Sequence, residues 1–182
     1  MTFIPQRGHY RNLKAFKVAE IIYDITYFFA HRYLQRGDRT VDQMIQAARS
    51  GKQNIAEGSA AGSTSKETEI KLTNVAKASL QELLLDYEDY LRVRGLSIWE
   101  KNSREVAQTR TFCMSHTESQ DYISRLQTRT DATAASIAIV LLHQADVLLH
   151  RLIERQKKDF LEQGGIREQM THARLEARRR KQ

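Results

Sequence analysis

The sequence predicts an all-α protein. The expected form is an antiparallel up-down four-helix bundle, with an extra helical insertion between helices three and four and a short basic C-terminal helix. Three observations carry this expectation. Only one proline, Pro5, and eight glycines occur in 182 residues, so few positions break a helix. Apolar residues recur at three- and four-residue spacing in four long segments. Glycines or small polar residues separate those segments, as joins between bundle helices require.

Helix one is expected over about 12–36. Val18, Ile22, Ile25 and Phe29 form a helical row, and Ile21 with Phe28 widens it. A stripe this wide can face both a bundle core and another subunit. Its β-branched and aromatic content is also compatible with a strand.

Helix two is expected over about 40–57, with Val41, Met44, Ile45, Ala48 and Ile55 on one face. Ala47, Ala48 and Gly51 make that face thin enough for a neighbouring helix to come close. The helix carries two burdens. Gly51 costs about 1 kcal/mol relative to alanine, and Glu57 near its end opposes the helix dipole. Gly58 suits a left-handed residue just past the helix. Glu57 would then face the free amides of the next helix, or Lys66, with Asn54 cross-linking the same corner. The connector GSAAGSTSKE follows, with Gly58 and Gly62 in a loop. Thr64 and Glu67 have the spacing of a capping box, next to Ser65.

Helix three is expected over about 65–94, with Leu72, Ala76, Leu83, Tyr87 and Tyr90 inward and Gly95 at its end. Segment 96–129 has weak periodicity and reads as one or two modest helices. Strong periodicity returns over 131–163 and stops at Gly164-Gly165. Residues 1–163 are thus expected to form the bundle with its insertion, and 164–182 a basic extension. Ile166, Met170, Ala173 and Ala177 share one face of that extension.

The chain carries a net charge of +7. Residues 164–182 hold six Lys/Arg against two Glu, a net +4, so the extension carries more than half of the excess. Such a chain suits nucleic acid or an acidic membrane surface. No apolar run of about 18 residues suggests a membrane span, and no apolar leader opens the sequence. One cysteine, Cys113, excludes an internal disulfide and fits a reducing compartment. The expectation is a cytoplasmic protein with no membrane partner.

Catalytic chemistry is not indicated. The six histidines are scattered, and no Glu-x-x-His pair occurs. Cys113 and His116 are one thiol and one imidazole, too few for a metal site or an activated nucleophile. No glycine-rich phosphate loop is present. The expectation is a non-enzymatic protein with no metal and no cofactor. Glu82, Asp86, Glu88 and Asp89 lie in a stretch free of Lys and Arg. They read as a solvated face or a docking strip for a basic neighbour, either the extension or Arg92 and Arg94. The candidates for phosphate contact are Arg49, Lys52, Lys66 and Lys71, together with Arg178, Arg179, Arg180 and Lys181. No aromatic-rich basic strip is visible along the chain. RNA or DNA binding through phosphates is the first functional reading. A protein–protein scaffold, using the acidic strip and the wide face of helix one, is the alternative.

A specific motif runs through Asn54, Ile55, Ala56, Glu57 and Gly58, then Ser65, Lys66 and Glu67, then Ala76, Ser79, Glu82 and Leu83. It resembles the four-helix bundle protein family named for reading frames in 23S rRNA intervening sequences. Gly51 and Lys52 stand where that family usually has Ser-Ile, and Ala78 replaces a glycine. The likeness is specific over 40–94 and compatible over 12–36 and 131–163. Segment 96–129 and the Gly-Gly-Ile-Arg-Glu tail are similar to a longer branch with a suffix domain. The family is also similar to the accessory variability protein of diversity-generating retroelements, a basic homopentamer that binds nucleic acid and a reverse transcriptase. The resemblance implies a homopentamer and nucleic-acid binding.

Overall fold

The computed structural model describes residues 10–180, without the side chains of Gln163, Ile166 and Arg167. It is all-helical. A 3-10 turn, Tyr10–Asn12, precedes α1 (Lys14–Tyr33), α2 (Arg39–Ala61), α3 (Lys66–Val93), α4 (Arg104–Ser115), α5 (Ser119–Leu126), α6 (Asp131–Gln163) and α7 (Ile166–Arg179). The β-branched residues of α1 form helix rather than strand, because its apolar residues repeat every three to four positions and bury one broad face. Phe16, Ala19, Ile22, Ile25 and Phe29 are all buried there.

Helices α1, α2, α3 and α6 enclose the core. The contacts run α1 with α2, α2 with α3, α3 with α6, and α6 with α1. The register along α3 can be read from side chains. Ser50 meets Ser79 near the middle of α2, and Gly58 further on meets Leu72 and Thr73, so α2 and α3 run in opposite directions. Gln156 donates to Thr73 at 3.0 Å, while Tyr90 donates to Asp131 at 2.8 Å, so α3 and α6 are also opposed. Buried polar groups are matched where α1 meets α3. The Tyr87 hydroxyl donates to Thr26 Oγ1 at 3.0 Å, both residues being fully buried.

Helices α4 and α5 occupy segment 96–129. Helix α4 packs on α6 and α5 on α1. Gly95 ends α3 in a left-handed conformation, φ 65°. The Leu96 amide donates to the Leu91 carbonyl at 2.9 Å and the Gly95 amide to Arg92 at 3.1 Å, the paired bonds of a Schellman cap. Among the described residues, helix α7 makes no extensive contact with any other element. Helix α6 is long and apolar enough by composition to cross a membrane, a property not visible as one unbroken apolar run. Its apolar residues Ala138, Leu141, Leu142, Ala145 and Leu149 are buried in the core.

The corner between α2 and α3 differs from the sequence expectation. Helix α2 continues through Gly58 to Ala61, so Gly58 is an interior helix residue, not a left-handed stop. Its place is dictated by proximity. A Cβ there would lie 3.2 Å from the Glu69 carbonyl oxygen and 3.3 Å from Leu72 Cβ. Gly62, with ordinary helical φ, follows as the C-cap.

The N-cap expected at Thr64 is also displaced by one residue. Ser65 is the N-cap of α3 and accepts from the Thr68 amide at 3.1 Å. Thr64 turns its hydroxyl back to the Ala61 carbonyl, and Glu67 pairs forward with Lys71 at 2.7 Å. Glu57 is exposed and makes no hydrogen bond or ion pair with the α3 amides or Lys66. Asn54 stays within its own helix. Its amide donates to the Ser50 carbonyl at 2.9 Å and to Ser50 Oγ at 3.2 Å. Ser50 Oγ lies 2.9 Å from Ser79 Oγ. Asn54 therefore holds the serine that bridges α2 to α3, away from the corner.

Candidate nucleic-acid interface

The basic residues singled out in the sequence fall into three settings. Lys66 and Lys71 open α3 but are answered locally. Lys66 lies 3.1 Å from Glu69 and Lys71 2.7 Å from Glu67. The hydrogen bond from Lys71, followed by its charge, holds the Glu67 carboxyl below its ordinary range. A phosphate approaching either lysine meets a carboxylate beside it, which weakens both as contacts. Arg178, Arg179 and Arg180 are exposed at the end of α7. Lys181 lies outside the described residues. Arg49 and Lys52, three residues apart, share one face of α2, with Arg49 exposed.

Lys52 leads to a surface that the linear sequence did not reveal. Its Nζ sits 4.4 Å from the centre of the Tyr23 ring on α1, within cation–π range. Tyr23 begins an aromatic ladder at four-residue spacing along α1. The ring centres of Tyr23 and Tyr27 are 6.5 Å apart, and those of Tyr27 and His31 are 4.2 Å apart. Tyr27 is 51% exposed despite its size, and His31 is also exposed. The His31 Nδ1–H donates to the Tyr27 carbonyl at 2.8 Å, which fixes the ring against its neighbour. Beside the ladder, Arg32 lies over Phe28 at 5.9 Å and donates to the Gln127 carbonyl at the end of α5. Tyr23, Asp24, Tyr27, His31, Arg32 and Ile123 line a shallow open groove there. Asp24 is the acidic member of this lining.

The expectation that no aromatic basic strip exists is thus corrected. The aromatics sit at i, i+4 and i+8 of helix one, a spacing legible in the sequence. It was hidden because the same helix has a buried apolar face of similar composition. Lys52 joins them only through the packing of α2 on α1.

The acidic strip lies on the outer side of α3. Arg92 answers one member, reaching Asp89 at 2.6 Å, while Arg94 instead covers the Tyr90 ring at 3.8 Å. Burial, then the charges of Glu82 and Asp89, raises the Asp86 carboxyl above its ordinary 3.8. A raised folded-state value penalises the fold wherever Asp86 is ionised in both states. The penalty is complete above the folded value and vanishes as pH falls below 3.8. Asp86→Asn should therefore stabilise the protein at neutral pH, by about 0.5 kcal/mol or less after solvent screening. The gain should disappear in denaturant titrations at about pH 3.

Among the described residues no group of three His, Cys, Asp or Glu side chains could hold a metal ion. Burial raises the Cys113 thiol, opposite to the activation a nucleophile needs. His116 stacks on Phe112 at 3.8 Å and 17°. Compared with known protein families, curated proteins and solved structures, the chain matches none.

Proposed function

We propose that this chain is a non-enzymatic helical-bundle protein that binds single-stranded RNA or DNA. The observation that carries the reading is the Tyr23–Tyr27–His31 ladder, half-buried at Tyr23 and exposed at Tyr27 and His31, flanked by Lys52 and Arg32. Every nucleobase has a π-face, so stacking on such a ladder tolerates sequence, while nearby cations follow the phosphates. Arg49 extends the positive edge along α2. The exposed arginines of α7 add a second, unstructured-strand contact through charge alone.

In this reading α1, α2, α3 and α6 form an antiparallel up-down bundle. The opposed contacts of α3 with α2 and with α6 support it. The motif through Asn54, Ser79 and Leu83 supports membership of the four-helix bundle family, with copies assembled as a homopentamer. Light scattering should then find a particle about five times the 21.1 kDa chain mass. A monomer at micromolar concentration would remove the pentamer from the proposal.

Strand binding is tested by gel shift with labelled oligonucleotides at two salt concentrations. If about four phosphates are neutralised, affinity should fall on the order of fifty-fold between about 50 and 200 mM salt. Tyr27→Ala should weaken binding by about 5- to 100-fold, the worth of one stacked base. Lys71→Ala should change little. Absence of binding at low salt by the assembled protein would sink the reading. The scaffold alternative has its own observation: Leu85 is 60% exposed inside the acidic strip of Glu82, Asp86 and Asp89. A partner that stays bound after nuclease treatment, with no strand binding, would replace the first reading by the second.

A further inference from the structure

A cavity of about 580 Å³ lies between α4, α6 and the segment joining α3 to α4, away from the aromatic ladder. It is elongated. Its wall on α6 is one helical face running from Ser136 to Arg151 in steps of three and four residues. At 1.5 Å per residue that row is about 22 Å long. Most of what the walls present is hydrocarbon: Ile139, Val140, Val147 and Leu148 from α6, with Val106 of α4 and Ile98 from the segment before it. The Ser136 hydroxyl and the Gln144 amide oxygen lie along α6 but are closed to solvent, so they offer a ligand nothing. Two of the apolar side chains are left in water. Val147 is 48% exposed and Ile98 43%. A ligand lying along this face would remove that carbon from water, which favours an apolar body.

The rim adds a sign. Lys101, Arg110 and Arg151 line it and are exposed, and none of the three forms an ion pair with another described residue. Two acids stand against them. Asp146 is already engaged by Lys77 at 3.5 Å and Gln81 at 3.2 Å, which leaves Glu88. The unmatched rim charge is therefore positive. A compact polar ligand does not suit a long space with carbon along its walls and cations at its rim. An unbranched chain with one anionic end suits both. The volume falls within the range of small-molecule sites, about 300–1,000 Å³. Helix α7 of a second copy is a poorer match. It carries exposed Met170 and Leu175, but it also brings Arg174, Arg178 and Arg179, the same charge as the rim.

We propose that this cavity binds a free long-chain fatty acid, with the chain along the Ser136–Arg151 face of α6 and the carboxylate among Lys101, Arg110 and Arg151. The site is separate from the strand-binding face and does not depend on it. Trp99, the only tryptophan of the chain, lines the cavity and reports its occupancy.

The full-length protein is titrated with octanoate, decanoate and dodecanoate while tryptophan emission is followed, with dodecyltrimethylammonium as the cationic comparison. The change should saturate, and affinity should rise about fourfold for each methylene buried. Dodecanoate should then bind on the order of a hundredfold tighter than octanoate. Dodecyltrimethylammonium should bind more weakly than dodecanoate by about tenfold, because its head repels the rim. Val147→Glu puts a negative charge at the half-exposed mouth and should weaken dodecanoate about tenfold or more. Arg110→Gln combined with Arg151→Gln, both on the exposed rim, should weaken it several-fold and leave the chain-length series intact. Melting curves confirm that each variant is folded. Affinity that does not change with chain length would mean surface ion pairing and overturn the proposal. Trp99 also lines the neighbouring cavity beside Phe112 and Arg125, so an equal response in wild type and Val147→Glu would place the ligand there and overturn it too. No response to any fatty acid would do the same. If Val147→Glu then changes the particle mass, the groove is a contact between copies; if the protein floats with anionic phospholipid vesicles, it is a membrane contact.

Discussion

Phe29→Ala should destabilise the protein by about 3–5 kcal/mol, the usual range for removing a fully buried phenylalanine. Phe29 is fully buried on α1. Its ring lies 5.0 Å from Tyr87 and 4.8 Å from Tyr90, both edge-on, and 5.2 Å from Tyr33. It thus joins α1 to two turns of α3 at one point. The surrounding rings are held elsewhere, Tyr87 by Thr26, Tyr90 by Asp131 and Tyr33 by the Arg129 carbonyl. They cannot collapse freely into the space, so the cavity term should be large. Urea denaturation checks this: the midpoint should fall sharply with little change in slope. Phe29→Leu should cost clearly less, since it keeps most of the buried volume. Equal losses for the two variants would show that ring contacts, not volume, dominate the site.

Gly51→Leu should cost about 3 kcal/mol, the upper range for overpacking a well-filled core. A Cβ on Gly51 would lie only 2.6 Å from Leu80 Cγ, and Leu80 is itself buried. Gly51→Ala should be milder, because the gain in helix propensity, about 1 kcal/mol, offsets part of the clash. Leu80→Ala alone should leave a cavity and cost about 2–5 kcal/mol. The double variant Gly51→Ala with Leu80→Ala should lose less than the two single variants together, because the new methyl occupies part of the emptied space. Strict additivity in that cycle would show that the two residues do not meet. The glycine that burdens the helix in isolation is therefore explained by its neighbour.

Helix-forming segments were legible because their cause is local. Periodicity, caps and breakers act within a few residues, and they marked α1, α2, α3 and α6 closely, with boundary shifts of a few residues at most. The corner between α2 and α3 was misread for a related reason. Gly58 has two uses in proteins, a left-handed stop and a close approach, and the sequence does not distinguish them. The carbonyl of Glu69 and the Cβ of Leu72, brought within 3.3 Å by the opposed packing of α3, select the second. Likewise Thr64-x-x-Glu67 and Ser65-x-x-Thr68 both offer a cap, and the helix start set by packing chose Ser65.

The sites show the same division. The basic residues were visible one by one, but their partners were not. Lys66 and Lys71 are answered by acids one helical turn away, whereas Lys52 finds an aromatic ring on another helix. By itself the sequence determined that the chain is helical, where its long helices run, and that it is basic. These follow from backbone preferences and composition. The tertiary structure decided which faces meet, and so where aromatics and cations come together. Those contacts depend on helix pairs distant in sequence, whose geometry is set by the packing of small residues such as Gly51 and Gly58.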